Sequence, residues 1–324
     1  MSLAKTEFIG FAGRVAALTG WRRSLLAFGL GVLAAAALPP VHALPLLAVA
    51  FAGLVWQIAG SRNGGRAFLA GWWFGVGYFL AGLHWIGAAL LTDPARYGGI
   101  VVPVVLGLSL GLALFTGLAA LATHLCRARG IGRVIAFALA WTIAEWLRGH
   151  LLTGFPWNLV ATVWVVSDAM MQLTALIGAY GLSLLTALAA ALPAEGFAPG
   201  GPVRRLLPVA AALVILGAIW GGGLARLGGA TESSVEGVGL RIVQGNVPQT
   251  EKWQPGQAEA HFERYLRLSR EPSAAPVTHL VWPETATAFL LDEDEPRRRA
   301  IGRLLPPGGL VLVGSVRVTR EPRR

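Results

Sequence analysis

Residues 101–126 read VVPVVLGLSLGLALFTGLAALATHLC, and no Asp, Glu, Lys or Arg interrupts them. About 20 apolar residues suffice to carry a helix across a hydrocarbon core of ~30 Å. The composition agrees: of 324 residues 55% are hydrophobic and 14% charged, and the mean hydropathy is +0.60. A soluble domain of that length has no use for so much apolar surface. The stretch therefore reads as a membrane span, and six others resemble it, at 24–40, 43–60, 67–90, 134–148, 169–193 and 206–224.

Cytoplasmic loops retain Lys and Arg, so the short connections orient the spans. With the N-terminus inside, Lys5, Arg14, Arg22, Arg23, Arg62, Arg66, Arg127, Arg129, Arg133, Arg204 and Arg205 all fall on the cytoplasmic side. The opposite side holds Arg96 and Arg148. Seven spans then place everything after about residue 225 outside the cytoplasm. The net charge of +10 is part of this asymmetry: residues 1–226 carry 14 basic and 5 acidic groups, against 13 and 12 in 227–324. It reports topology and gives no reason to expect nucleic acid. A cleaved signal peptide ending near Val41-His42-Ala43 is the alternative for the first span and leaves the later topology unchanged. Cys126, the only cysteine, permits no disulfide within the chain.

In the membrane part, Gly71–Gly75 and Gly107–Gly111 set small residues one helical turn apart and predict close helix approach. Trp21, Trp56, Trp157 and Trp220 lie near span ends, as an aromatic belt requires. The 149–168 loop lacks Lys and Arg after Arg148, carries Phe155-Pro156-Trp157-Asn158 at its centre, and is expected to dip into the outer interface. Glu145 and Arg148 are one turn apart at a span end, where they serve either as an ion pair or as a headgroup-binding pair.

Beyond the spans, GGGLARLGGATESSVEGVG (221–239) has the composition of a linker. The domains thus run 1–225 helical, 226–238 linker and 239–324 soluble. The last alternates strand 240–246, helix 256–270, strand 279–282, helix 296–305 and strand 310–318, the pattern of an α/β sheet. At its centre is HLVWPETATAF (279–289), which places a carboxylate, Glu284, directly after a short buried strand. Working groups of α/β proteins gather at the carboxyl ends of strands. Capping the next turn, or pairing with a nearby Arg, is the other use such a carboxylate has.

Several segments together, EWLRG (145–149), TGFPWN (153–158), GAYGLS (178–183), QGNVPQ with KW (244–249, 252–253) and WPE (282–284), resemble in order and spacing the apolipoprotein N-acyltransferases. These are membrane enzymes with a periplasmic domain of the nitrilase, or carbon-nitrogen hydrolase, type. The resemblance implies seven helices followed by part of an α-β-β-α sandwich, in a bacterial inner membrane. It implies a Glu-Lys-Cys triad in which the Glu matches Glu284. It also implies a phospholipid acyl donor and a diacylated apolipoprotein as acceptor, with Phe155, Pro156, Trp157 and Asn158, and less directly Glu145 and Arg148, near the lipid substrates. No metal or cofactor is called for. The family's Lys and Cys lie downstream of WPE and have no match here, since Lys5 and Lys252 are the only lysines and Cys126 is expected at the cytoplasmic face. Lys252 belongs to the KW segment and suits a surface or substrate-loop role. The chain is accordingly expected to be the first part of such an enzyme, inactive alone, with a half-built sheet whose edge and apolar faces invite aggregation. A membrane-tethered amidase or nitrilase, and a transporter or scaffold, are the competing readings.

Overall fold

A computed structural model describes residues 8–231, 234–254 and 256–318. Lys5, and Glu232 and Ser233 of the linker, lie outside the described residues. The chain divides into two compact units, Met1–Ala230 and Thr231–Arg324.

The first unit is helical. Its principal helices are α1 (Gly10–Ala17), α2 (Gly20–Ala35), α3 (Pro45–Ala59), α4 (Gly64–Leu83), α5 (Val101–Leu125), α6 (Ile131–His150), α7 (Thr174–Ala191) and α8 (Pro202–Gly228). With their short continuations, the stretches Gly64–Leu90, Pro94–Leu125, Thr174–Phe197 and Pro202–Gly228 are long and apolar enough to cross a membrane. This makes the protein a helical membrane protein. The other apolar stretches form shorter or more charged helices: α2 has 16 residues, α3 has 15, and α6 carries Arg133, Glu145 and Arg148 in its 20. At ~1.5 Å per residue, α2 rises only ~24 Å.

Glycine lets α4 touch both neighbours. A Cβ on Gly77 would strike the Phe28 carbonyl, and one on Gly31 the Phe74 carbonyl, so α2 and α4 meet backbone to backbone. Gly71 and Gly75 lie against Thr116, Ala113 and Ala120 of α5 in the same way. Gly107 and Gly111 differ from the expectation: nothing stands within 4 Å of a Cβ at either position. The face of α5 that turns to α4 is the one bearing Ala113, Thr116 and Ala120, and the two glycines lie off it. Around α4, the rings of Phe51, Phe74, Phe137 and Trp141 interlock at centroid distances of 4.7–6.1 Å. Trp56 also departs from the belt reading: it is buried and donates from Nε1 to the Ala194 carbonyl at 3.0 Å, whereas Trp21, Trp157 and Trp220 are exposed.

The second unit contains β1 (Leu240–Ile242), α9 (Ala258–Ser269), β2 (His279–Val281), α10 (Glu295–Gly302) and β3 (Leu310–Leu312). The strands are parallel in the order β1-β2-β3, with Leu240, His279 and Leu310 in one row and Ile242, Val281 and Leu312 in another. They are shorter than the sequence suggests. The segment after Ile242 keeps one rung, Val243 N–H to the Val281 carbonyl at 2.9 Å, and then turns away. Leu280 and Trp282 enter a core with Phe262, Tyr265, Leu266 and Ile301. On the opposite face Leu240, Ile242, Leu310 and Leu312 are exposed.

These contacts generate a paired expectation for the detergent-solubilised protein. Gly31→Val should cost at least ~1–3 kcal/mol through overpacking, and Gly107→Ala should be neutral or stabilise by ~0.5–1 kcal/mol. Thermal unfolding of the two variants measures the contrast.

Candidate active site

Glu284 owes its position to backbone geometry on both sides. Trp282 is the last residue to join the ladder, donating its N–H to the Leu312 carbonyl at 2.8 Å, while its ring enters the core and its Nε1 reaches Ser269 Oγ at 2.9 Å. Pro283 has no N–H and ends the pairing. Thr285 then adopts φ of +49°, uncommon for a β-branched residue. Pairing resumes at Ala286, whose N–H meets the Gly314 carbonyl at 2.9 Å. A Cβ on Gly314 would collide with the Pro283 carbonyl, Glu284 Cα and Thr285 N, so only glycine allows the two chains to pass here. Glu284 is thereby the apex of a tight main-chain turn at the carboxyl end of the central strand, with its side chain exposed.

The carboxylate borders a cavity of about 140 Å³ shared with Gln244, Lys252, His261, Tyr265 and Ala286. Lys252 Nζ donates to the Glu284 carbonyl at 3.3 Å. Burial pushes the Tyr265 phenol up, against the pull of the Gly245 N–H, so it stays neutral at pH 7. Gly245 is itself required, because the Tyr265 ring fills the place of its Cβ. Arg297 is engaged with Glu259 and Asp294, Arg298 and Arg299 with Glu295, and Arg317 with Asp292. Among the described residues none pairs with Glu284.

In the helical unit, the residues singled out by sequence are brought together around the 149–160 loop. Arg148 Nη1 donates to the Phe155 carbonyl at 2.7 Å and to the Trp157 carbonyl, and the guanidinium lies 5.2 Å from the Phe79 ring centroid. Glu145 Oε1 accepts from the Val160 N–H at 2.8 Å and from Trp141 Nε1 at 3.1 Å. Glu145 and Arg148 are 4% and 3% exposed, too buried to meet a headgroup directly. They hold the loop, and the loop presents the surface: Pro156 and Trp157 are exposed, and Trp157 meets Trp85 at 5.8 Å. Asn158 sits at φ of +56°, its carbonyl held by Tyr78 Oη at 2.9 Å.

Sequence reasoning missed Tyr78, and gave no role to Ser183 of the GAYGLS segment, whose Oγ accepts the Ala161 N–H at 3.1 Å. It also missed His261, Tyr265 and Gly314. Only Gly314, a glycine directly beyond a strand, carried a visible signal. The 145–158 cluster belongs to the first unit and Glu284 to the second.

Residues 30–192 match the profile described as the apolipoprotein N-acyltransferase N-terminal domain. Proteins named apolipoprotein N-acyltransferase from Rhodopseudomonas palustris, Allorhizobium ampelinum and Brucella melitensis are 39%, 38% and 38% identical to this chain, over 94%, 94% and 96% of its length. The chain spans 59–62% of those relatives.

Loss of either member of the loop clasp should be severe. Arg148→Met or Glu145→Ala leaves a buried charge uncompensated, at a cost of ~3–5 kcal/mol. Limited chymotrypsin digestion should then cut at Trp157 in the variants and spare the parent protein.

Proposed function

The chain belongs to the apolipoprotein N-acyltransferase family, and from that membership we propose that it forms the membrane base and the first part of the catalytic domain of an enzyme transferring an acyl chain from a phospholipid to a lipoprotein. The acceptor is the α-amino group of a diacylglyceryl-modified N-terminal cysteine. The observation that carries the reading is the place of Glu284, at the carboxyl end of the central parallel strand and open to a cavity.

In this reading Glu284 is the general base. It takes the proton of a cysteine thiol, and the thiolate attacks the ester carbonyl of the phospholipid. A lysine ammonium holds the developing oxyanion. The tetrahedral centre collapses to a thioester, and the lysophospholipid leaves with the proton returned by Glu284. The acceptor amine then attacks the thioester, its proton passes to Glu284, an amide forms and the thiol is regenerated. Of the three groups this chain supplies the carboxylate. Cys126 ends α5 in the helical unit, and Lys252 touches the main chain of Glu284 from the KW segment.

The domain is read as nitrilase-like, part of an α-β-β-α sandwich. The exposed row of Leu240, Ile242, Leu310 and Leu312 supports this, since a sheet covered on one face needs a second layer on the other. The membrane base is read as seven spans over 1–225, in the inner membrane of a bacterium, with the N-terminus cytoplasmic, the linker at 226–238 and residues 239–324 periplasmic. The Lys and Arg asymmetry supports that orientation. The buried clasp of Glu145 and Arg148 supports a loop at Phe155–Asn158 that borders an acyl-chain entrance. The amidase and transporter readings are not favoured, because the relatives reported above are named acyltransferases.

In the intact protein, reconstituted with phospholipid and a diacylated lipopeptide, Glu284→Gln should lower acyl-enzyme formation by ~10²–10⁴-fold, the usual worth of a general base. Mass spectrometry of the thioester measures it, and an unchanged rate would remove Glu284 from the mechanism. The 324-residue chain alone should show no turnover in liposomes. Protease added to spheroplasts should digest residues 239–324; protection until the membrane is lysed would reverse the orientation.

A further inference from the structure

The cavity beside Glu284 is lined by more hydrogen-bond donors than a base requires. Lys252 and His261 reach it from two different segments, Lys252 from the loop after β1 and His261 from the first turn of α9. Lys252 is held at the Glu284 main chain through a carbonyl, 3.3 Å from Nζ, and the ammonium has two further donors for a ligand. Neither side chain has an acidic partner other than Glu284 among those lining the cavity. Gln244 adds an amide donor to the same wall.

Resting on the function proposed above, we infer that Lys252 and His261 form the seat for the phosphate diester of the acyl donor. A phospholipid brings a singly charged phosphate to within a few bonds of the ester that must be attacked. Next to the Glu284 carboxylate that phosphate is repelled unless cations stand beside it. Lys252 is placed for this, as a point charge tethered to the turn that carries the base, and the His261 ring N–H contributes a directed hydrogen bond. Recognition falls on the diester, the part common to glycerophospholipids, so the pair selects phosphate-bearing donors over neutral glycerides and leaves the headgroup alcohol unread. Lys252 and His261 are positioning residues here; the proton transfers remain with Glu284.

The test uses the intact protein in mixed micelles and a phosphate-free ester, p-nitrophenyl palmitate, whose cleavage reports acyl-enzyme formation. Ether-linked phosphatidylglycerol has no ester to cleave and competes for the site; ether-linked diglyceride is the phosphate-free control. In Lys252→Met and His261→Gln the inhibition constant for the ether phospholipid should rise about tenfold each, the usual worth of a hydrogen bond to a charged group. Inhibition by the diglyceride should not change, and Lys252→Arg should retain most of the phospholipid affinity. Equal loss with both inhibitors would show that the residues only maintain the fold, and no loss with either would place the phosphate elsewhere; both results overturn the proposal. If the parent protein cleaves the ester and transfers no acyl group from any phospholipid to a lipopeptide, it is the function proposed above that fails, and the seat fails with it.

Discussion

Peptide groups in a membrane must find partners inside the protein, because lipid offers none. Helices meet this demand by themselves, and irregular segments do not. The loop between α6 and α7 meets it through side chains: Arg148 takes the carbonyls of Phe155 and Trp157, Tyr78 that of Asn158, Glu145 the N–H of Val160 and Ser183 the N–H of Ala161. Two charges that would each be costly alone are retained because they satisfy non-helical backbone and offset each other across one turn. The close packing of α4 against α2 and α5, made at glycines, delivers Tyr78 to this arrangement. The loop is thus anchored by its main chain and free to offer Trp157 and Pro156 outward.

The second unit relies on the same economy of backbone contacts in a different setting. Gly314 passes so close to Glu284 that one strand forms a mould for the turn of its neighbour. Core rings from α9 pack against Trp282, with Tyr265 tilted at 5.0 Å and Phe262 edge-on at 6.1 Å, and hold the residue two before Glu284. The polar cavity and the apolar core are therefore opposite sides of one short stretch, with Tyr265 belonging to both.

Much of this was legible in the sequence. Uninterrupted apolar runs announced the helices, and alternating apolar segments announced the parallel sheet and Glu284 at a strand end. The spacing of Glu145 and Arg148 put the two charges one turn apart but did not show that each would bind the backbone of a loop, because hydrogen bonds to backbone leave no mark in residue pattern. Trp56 was misread as interfacial since a tryptophan near a helix end looks alike whether it faces lipid or a neighbouring carbonyl. Gly107 and Gly111 have the spacing of a packing motif and lie on the wrong side of their helix, which only the neighbours decide. His261 and Tyr265 reach the cavity through the docking of α9, and helix periodicity identifies its buried face without saying which strand end that face will meet.

The left-handed turn at Thr285 has a wider consequence. A carboxylate aimed by its own main chain does not depend on the shape of the side chains around it. Ala288, a small residue on the cavity wall, can be enlarged or exchanged without re-aiming the carboxylate. Under the function proposed for Glu284, reactivity and the fit of the bound molecule are set by separate parts of the chain, so selection can reshape what the cavity admits while the chemistry stays constant.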